Sequence, residues 1–388
     1  MSNPCQSIPA IPPGVDVCRR APVPVGRCAV GAPAALAIGP ISLDAPFAQA
    51  ALSGYSDVAM RVLAREYGCP YSLNEVVLDR LVGQGGKRMK RMLSIDPAEH
   101  PVGGQLMGSE PSQFAEAADD MVGMGYDAID INFGCPVKKV LGRCRGGFLL
   151  SDPPVAISIV RAVFDAVSGR VPVTLKMRRG LDDSIESERN FFKILDAAFE
   201  IGCSAVTVHG RTVKQRYVGP SRWEFLARVK RHVGDRVIIG SGDLFTARDC
   251  VRMLNETGID GVSIARGAIG NPFIFGEIRA LLAGRELPGP PSISAQRAAI
   301  ERHVHLLAAH HGEPASVLQF RKFGVRYSEL HPLNLDVKSA FLRVRSPGDF
   351  HAMLDQWYGD ESQYPPVERR DRPEALIAAG AAWNCGAE

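Results

Sequence analysis

The feature that most constrains this chain is an alternation. Between Pro46 and Gly267, eight short apolar or β-branched runs recur, each followed by a stretch of helical periodicity. The runs are PFAQAAL (46–52), YSLNEVV (71–77), VGGQLMG (102–108), AIDINFG (128–134), VPVTLKMR (171–178), AVTVHGR (205–211), VIIGSGD (237–243) and GVSIARG (261–267). The connectors carry helix punctuation: the stretch 111–125 starts on Pro111, and the stretch 246–258 ends on Gly258. Strand then helix, repeated in this way, predicts an α/β fold of the (β/α)8 TIM-barrel type. A doubly wound sheet would place a G-x-G-x-x-G turn after its first strand, and the sequence contains none.

After about Gly284 the pattern is purely helical, in ISAQRAAIERHVHLLAAHHG, PASVLQFRKFGVRYSELHP and SPGDFHAMLDQWYG. The segment ELPGPPS (286–292) reads as a linker, so a small C-terminal α-helical domain is expected to follow the barrel. The expected division is a flexible N-terminal extension over 1–37, the barrel over 38–285, the helical domain over 292–358 and a tail over 359–388. The extension is rich in Pro, Ala and Gly and has no apolar periodicity.

Composition excludes several classes. No run approaches the roughly 18 apolar residues of a membrane-spanning helix, and the first residues lack the apolar core of a secretory signal. A cytoplasmic protein without membrane association is the expectation. The nine cysteines include no C-x-x-C pair, which argues against a disulfide framework and a zinc site. Cys5, Cys18 and Cys28 fit no ligand spacing, and no metal is expected. With 45 basic and 42 acidic residues, charge informs about partners only where it clusters.

Chemistry in a barrel sits at the C-terminal strand ends. Here those ends carry Asn74 and Glu75; Gln105; Asp130, Asn132 and then Cys135; Lys176 and Arg178; His209 and Arg211; Ser241, Gly242 and Asp243; and Arg266. The Gly-rich turns GSGD and ARGAIG would admit a phosphate beside Arg266, although tight turns need glycine in any case. Lys176 suits a Schiff-base amine, a partner for an anionic cofactor ring, or a plain surface lysine. His209 is a second donor or a structural residue. Cys135, between Gly134 and Pro136, suits a proton donor, a nucleophile or a packed thiol, and Lys138 and Lys139 beside it favour the thiolate. Lys138, Lys139, Arg143 and Arg145 form one basic cluster, and Arg211, Lys214, Arg216 and Arg222, interleaved with Tyr217 and Trp223, form another. Two such clusters at one mouth fit a polyanion such as RNA, or else a solvated loop.

Taken together, the stretches IGPISL, AALSGYSDVAMR, DINFGCPVKKV, VPVTLKMRRG, VTVHGRT, GSGDL, GIDGVSIARGAIGNPFIF and RKFGVRY resemble the FMN-dependent tRNA-dihydrouridine synthases, most of all their bacterial B-type branch. The resemblance runs from about Ile38 to Tyr358. It implies reduction of the C5–C6 bond of uridine in tRNA, with hydride from reduced FMN to C6, a proton from Cys135 to C5, and NADPH or NADH as reductant. It implies cofactor contacts from Ala51, Leu52, Ser53, Gln105, Lys176, His209, Ser241, Gly242, Asp243, Ala265 and Arg266. Substrate contacts would come from Asn132, Lys138, Lys139, Arg178, Arg211, Arg321, Lys322, Arg326 and Tyr327. No stable protein partner is implied. Several positions depart from the family pattern: Ala50–Ala51–Leu52 stands for APM, Ser241 for the Asn of NGD, Ala265 for the Gly of GR, Leu141 for an Asn, and Phe323 for a His. The competing readings are the same chemistry on another RNA such as rRNA, reduction of a free pyrimidine, and an RNA-binding homologue that has lost catalysis.

Overall fold

The computed structural model describes residues 35–369. The expected N-terminal extension, up to residue 34, and the expected tail, from residue 370, lie outside the described residues. The described chain begins with an antiparallel hairpin, β1 (Leu36–Ile38) and β2 (Ile41–Leu43). Nine further segments follow: β3 (Phe47–Gln49), β4 (Ser72–Leu73), β5 (Val77–Leu78), β6 (Val102–Met107), β7 (Ala128–Phe133), β8 (Val173–Arg178), β9 (Ala205–His209), β10 (Ile238–Ser241) and β11 (Gly261–Ile264). The parallel order β3-β4-β6-β7-β8-β9-β10-β11 returns to β3 and closes an eight-stranded barrel, while β5 pairs with the second half of β6.

The second apolar run is therefore two segments rather than one strand. Asn74 causes the break. Its backbone still reaches the Gly103 carbonyl (3.0 Å), but its Oδ1 accepts the Gln105 N–H (2.7 Å) in place of a ladder carbonyl, and its Nδ2 donates to the Tyr126 hydroxyl (3.0 Å). Other strands stop short of their sequence runs, β3 at Gln49, β10 at Ser241 and β11 at Ile264. After β10 the reason is local. Gly242 (φ 116°) and Asp243 (φ 60°) leave the extended region, so those residues become mouth rather than strand.

Outside the barrel lie α1 (Val58–Glu66), α2 (Lys87–Met92), α3 (Pro111–Gly123), α4 (Lys138–Leu141), α5 (Pro153–Val167), α6 (Ile185–Ile201), α7 (Trp223–Val233), α8 (Ala247–Thr257) and α9 (Phe273–Leu282). Asp57 caps α1 by accepting the Met60 N–H, and a Thr246–Asp249 capping box starts α8. At the opposite end from the mouth, Leu36, Ile38 and Leu43 of the hairpin pack with Ala48, Tyr71, Leu73, Ala205 and Ile239 and stopper the barrel. Gly103 makes room for that plug, since a Cβ there would fall 2.1 Å from the Tyr71 hydroxyl. With one end closed by apolar packing, polar side chains inside the barrel have only the other end to serve.

Four helices complete the described chain: α10 (Ile293–His311), α11 (Glu313–Tyr327), α12 (Asn334–Arg343) and α13 (Pro347–Tyr358). Their centre is aromatic, with Phe320, Phe323 and Tyr327 around His303 and with Phe341 and Phe350 against Phe320. This cluster is continuous with the layer between barrel and helices, so the two parts share one core. No helix among the described residues is long and apolar enough to cross a membrane.

One buried ion pair ties α1 to the segment before β6. Arg61 and Glu99 are both 0% exposed, with Nη2 3.0 Å from Oε1, and Arg61 also donates to the carbonyls of Ser56 and Ser94 (2.8 Å each). Glu99→Ala would strand the guanidinium without its carboxylate. We expect a destabilisation of about 3–5 kcal/mol, measured as a lower urea midpoint at unchanged m-value. A loss under about 1 kcal/mol would mean that solvent reaches Arg61.

Candidate active site

The side chains that point into the mouth follow from strand register. Asp130 of β7 lies opposite Gln105 of β6 and Thr174 of β8, and Asn132 lies opposite Lys176. Because side chains alternate along a strand, Asp130 and Asn132 share one face, as do Thr174, Lys176 and Arg178. The Asp130 carboxylate accepts from Thr174 Oγ1 (2.5 Å) and Gln105 Nε2 (2.7 Å). That fixes the Gln105 amide, whose Oε1 then accepts from Asn132 Nδ2 (2.7 Å). Asn132 Oδ1 is left to accept the backbone N–H groups of Gly134 (2.9 Å) and Cys135 (3.1 Å). A chain of oriented groups thus runs from the barrel interior to the loop that presents the half-buried Cys135 thiol. Burial pushes the Asp130 carboxyl up, against the pull of its two hydrogen bonds.

Lys176 stands beside this chain. Its ammonium makes no hydrogen bond among the described residues. Burial pushes it down to about 8, Asp130 opposes the shift and Arg178 reinforces it. His209, on the neighbouring strand, is held well below the usual histidine range by burial and then by Arg178, Lys176, Arg211 and Arg266. It is neutral at physiological pH. Arg211 Nη1 lies 3.5 Å from its Nε2, and a guanidinium only donates, so Nε2 is the acceptor and Nδ1 carries the proton.

The ends of β10 and β11 form a second, cationic corner. A Cβ on Gly242 would fall 2.4 Å from Ser221 Oγ and 2.7 Å from the His209 ring, so this close turn requires glycine. Asp243 accepts from Arg211 Nη2 through both oxygens (2.7 Å each) and from the Ser221 N–H (2.7 Å), with Arg266 at 3.5 Å. Arg266 lies over the rings of Tyr217 (4.9 Å) and Phe245 (4.8 Å). Two guanidiniums against one carboxylate leave the corner positive. Ser241 is buried at the end of β10, and Ala265 follows β11 directly.

Of the other residues singled out from sequence, Ala51 and Leu52 are half-buried and Ser53 is exposed, all on the β3–α1 loop at this end. Lys138 and Lys139 are exposed on α4 and Arg321 is half-buried on α11; none of the three has an ion-pair partner among the described residues. Besides Asn132, which is buried within the chain of groups described above, three expected RNA contacts do not face solvent. Arg178, 2% exposed, donates to the carbonyls of Gly134, Thr212 and Arg216. Arg211, 1% exposed, is held by Asp243 and the Gly219 carbonyl. Tyr327 is buried against His303, its hydroxyl 3.3 Å from Nδ1. Arg326 pairs with Glu329 (2.6 Å), and Lys322 donates to the Gly54 carbonyl. The sequence reading missed α2, whose Lys87, Lys90 and Arg91 are exposed between β5 and β6. The density of charge in GKRMKRM was its signal. It also missed Gln49, which ends β3 fully buried with its amide unpaired.

The Lys176 geometry has a pH signature in the ligand-free protein. Between about 8 and the ordinary lysine value of 10.5, the unfolded chain holds a proton that the folded chain has released, so stability rises with pH across that window. Below about 8 the burial penalty is fully present. Lys176→Met removes the penalty. Its stability gain over the parent should be largest at pH 7 and shrink by pH 10, measured by urea unfolding at both. A gain that grows with pH would place Lys176 in a favourable ion pair.

The comparisons with known proteins agree with this barrel. The family model described as dihydrouridine synthase (Dus) matches residues 48–361. A probable tRNA-dihydrouridine synthase of Mycobacterium tuberculosis (strain CDC 1551 / Oshkosh) is 35% identical over 347 residues, covering 86% of this chain and 87% of the relative. The tRNA-dihydrouridine synthase B of Xanthomonas axonopodis pv. citri is 34% identical over 323 residues, covering 83% and 95%. Among solved structures, histamine dehydrogenase from Rhizobium sp. 4-9 superposes with a TM-score of 0.51 at 14% identity, over 70% of this chain and 50% of that one. A 2-naphthoyl-CoA reductase complex does so with a TM-score of 0.51 at 11% identity, over 83% and 69%. The structural likenesses speak for the barrel alone, whereas the family match and the relatives span most of the chain: it belongs to the dihydrouridine synthase family.

Proposed function

We propose that this chain reduces uridine to 5,6-dihydrouridine in tRNA, with FMN held in the barrel mouth and NADPH or NADH as reductant. The observation that carries the reading is the chain Asp130–Gln105–Asn132–Cys135, which fixes the loop bearing the thiol, together with Lys176 opposite Asn132 on the next strand, whose ammonium makes no hydrogen bond among the described residues. The residues present fit such a cofactor. Lys176 offers a cation to the electron-accepting edge of a flavin, and the Gly242 turn with Arg266 offers a close, positive seat for its phosphate. Gln105 and neutral His209 add hydrogen-bonding groups, and the Ala51–Ser53 loop flanks the same mouth. When bound, the flavin supplies hydride to C6 of the base.

The protein's own part is the proton. Cys135 would deliver it from Sγ to C5 on completion of the C6–H bond, which saturates the C5–C6 double bond and leaves a thiolate. Arg178, hydrogen-bonded to the neighbouring Gly134 carbonyl (2.9 Å), lies close enough for Cys135 to act on its charge. A guanidinium there offsets the charge left on sulfur, which helps a donor give up its proton. Asn132 keeps the loop from drifting by taking the Cys135 N–H. RNA phosphates would meet Lys138, Lys139 and Arg321. The nicotinamide, having no dedicated motif, would visit the same mouth between turnovers.

Cys135→Ala should still bind flavin and RNA and still be reduced by NADPH, but lose about 100-fold to 10,000-fold in product formation. Single-turnover oxidation of the pre-reduced protein by uridine-containing tRNA reads this directly. Cys144, exposed on the loop after α4, is the control, and Cys144→Ala should keep most activity. Near-normal dihydrouridine yield in Cys135→Ala would remove the acid role.

The expected phosphate contacts have their own signature. Each lost contact lowers the slope of log affinity against log salt by about 0.7–0.9. Lys138→Gln, Lys139→Gln and Arg321→Gln combined should therefore reduce that slope by about 2 or more. An unchanged slope in filter-binding assays would move the RNA elsewhere on the surface.

A further inference from the structure

The β3–α1 loop is held from within and from outside. Inside it, the Leu52 N–H reaches Ser56 Oγ (2.8 Å) and the Tyr55 N–H reaches the Leu52 carbonyl (2.9 Å), while Arg61 grips its far end through the Ser56 carbonyl (2.8 Å). Its exposed tip is Gly54, in the left-handed region at φ 77°. Two charged side chains reach that one residue from opposite parts of the fold. Glu75, in the gap between β4 and β5, accepts the Gly54 N–H through Oε2 (2.6 Å). Lys322, on α11, donates to the Gly54 carbonyl. The same ammonium lies over the rings of Tyr55 (5.5 Å) and Phe323 (5.0 Å), which themselves meet edge to face (5.5 Å).

We propose that Glu75 and Lys322 are positioning residues that clamp Gly54 from both sides and so hold the Ala51–Tyr55 loop in place at the barrel mouth. The inference rests on the reading of that mouth as the flavin site. It also gives the interruption of the second strand a purpose. Had the ladder continued past Asn74, Glu75 would have been fixed to the pleat; out of the ladder, its carboxylate is free to meet the loop tip. Lys322 is drawn by the same geometry away from the role of phosphate contact. Its ammonium is committed to a carbonyl and to the faces of two rings, whereas its neighbour Arg321 makes no such commitment.

The two roles separate in experiment. In the ligand-free protein, hydrogen–deuterium exchange of the segment 50–58 should quicken about tenfold in Glu75→Leu and in Lys322→Met, the scale of a lost hydrogen bond to a charged group near solvent. Glu75→Gln, whose amide oxygen still accepts the Gly54 N–H, and Lys322→Arg should restore most of the protection. In the flavin-loaded protein, Lys322→Met should slow flavin reduction by NADPH in the absence of RNA and leave the salt slope of RNA binding as in the parent. Unaltered exchange, or a slope lowered by about 0.7–0.9 with normal RNA-free reduction, would make Lys322 a phosphate contact and overturn the clamp. A parent protein that binds no flavin would defeat the functional reading alone, since the exchange experiment decides the clamp without it.

Discussion

The arrangement of the mouth depends on one buried carboxylate. Asp130 can only accept hydrogen bonds while ionised, and this fixes the direction of every bond beyond it. Thr174 and Gln105 must donate to it, Gln105 must then accept from Asn132, and Asn132 must turn its oxygen to the Cys135 backbone. A neutral amide at the origin would allow either orientation at each step. The carboxylate also sets the charge that Lys176 meets, because it is the one influence that keeps that ammonium from falling further than about 8. Removing Asp130 would therefore disturb both the presentation of the thiol and the cation beside it.

The mouth carries more positive than negative charge in a confined space. Arg178 is itself pushed down to about 10, mainly by burial and also by Arg211 and Arg266. Such crowding is unfavourable, and a negative group placed there would relieve it. Burial first, and then the same excess, keep His209 neutral, so that it serves hydrogen bonding rather than charge. Stability is supplied elsewhere, by the apolar plug below the mouth and by the Arg61–Glu99 pair that anchors α1.

Much of this was legible in the sequence because barrels repeat. The alternation gave eight strands, and their register then put Gln105, Asp130, Asn132, Lys176 and His209 at one end. Gly242 was legible for a related reason, since a glycine at a strand end has few purposes other than close approach. The break at Asn74 was not, because it depends on an amide 29 residues before Gly103, bonding to backbone and side chains of β6 and beyond. Nor was the burial of Arg178 and Arg211. An arginine after a strand looks the same in sequence whether it faces RNA or holds loop carbonyls, and only the fold of the 212–221 loop over the mouth decides between them. Lys322 is the sharpest case: its partner Gly54 is 268 residues away in the sequence.

That distance raises the question of what sets the height of α11 against the barrel. Gly270, in the loop after β11, lies so close to the helix that a Cβ on it would fall 2.5 Å from the Tyr327 backbone nitrogen. Phe323 and Tyr327, one turn apart, are both buried and face His303. Contact with the barrel at Gly270 and burial of these two rings together fix the rotation and the register of α11. Lys322, next to Phe323, is then delivered to Gly54 by the same packing that seats the helix. A displacement of α11 by one residue would rotate Lys322 by about 100° and separate it from the loop, so the mouth and the helical region hold one relative arrangement through packing at Gly270 and a polar tie at Gly54.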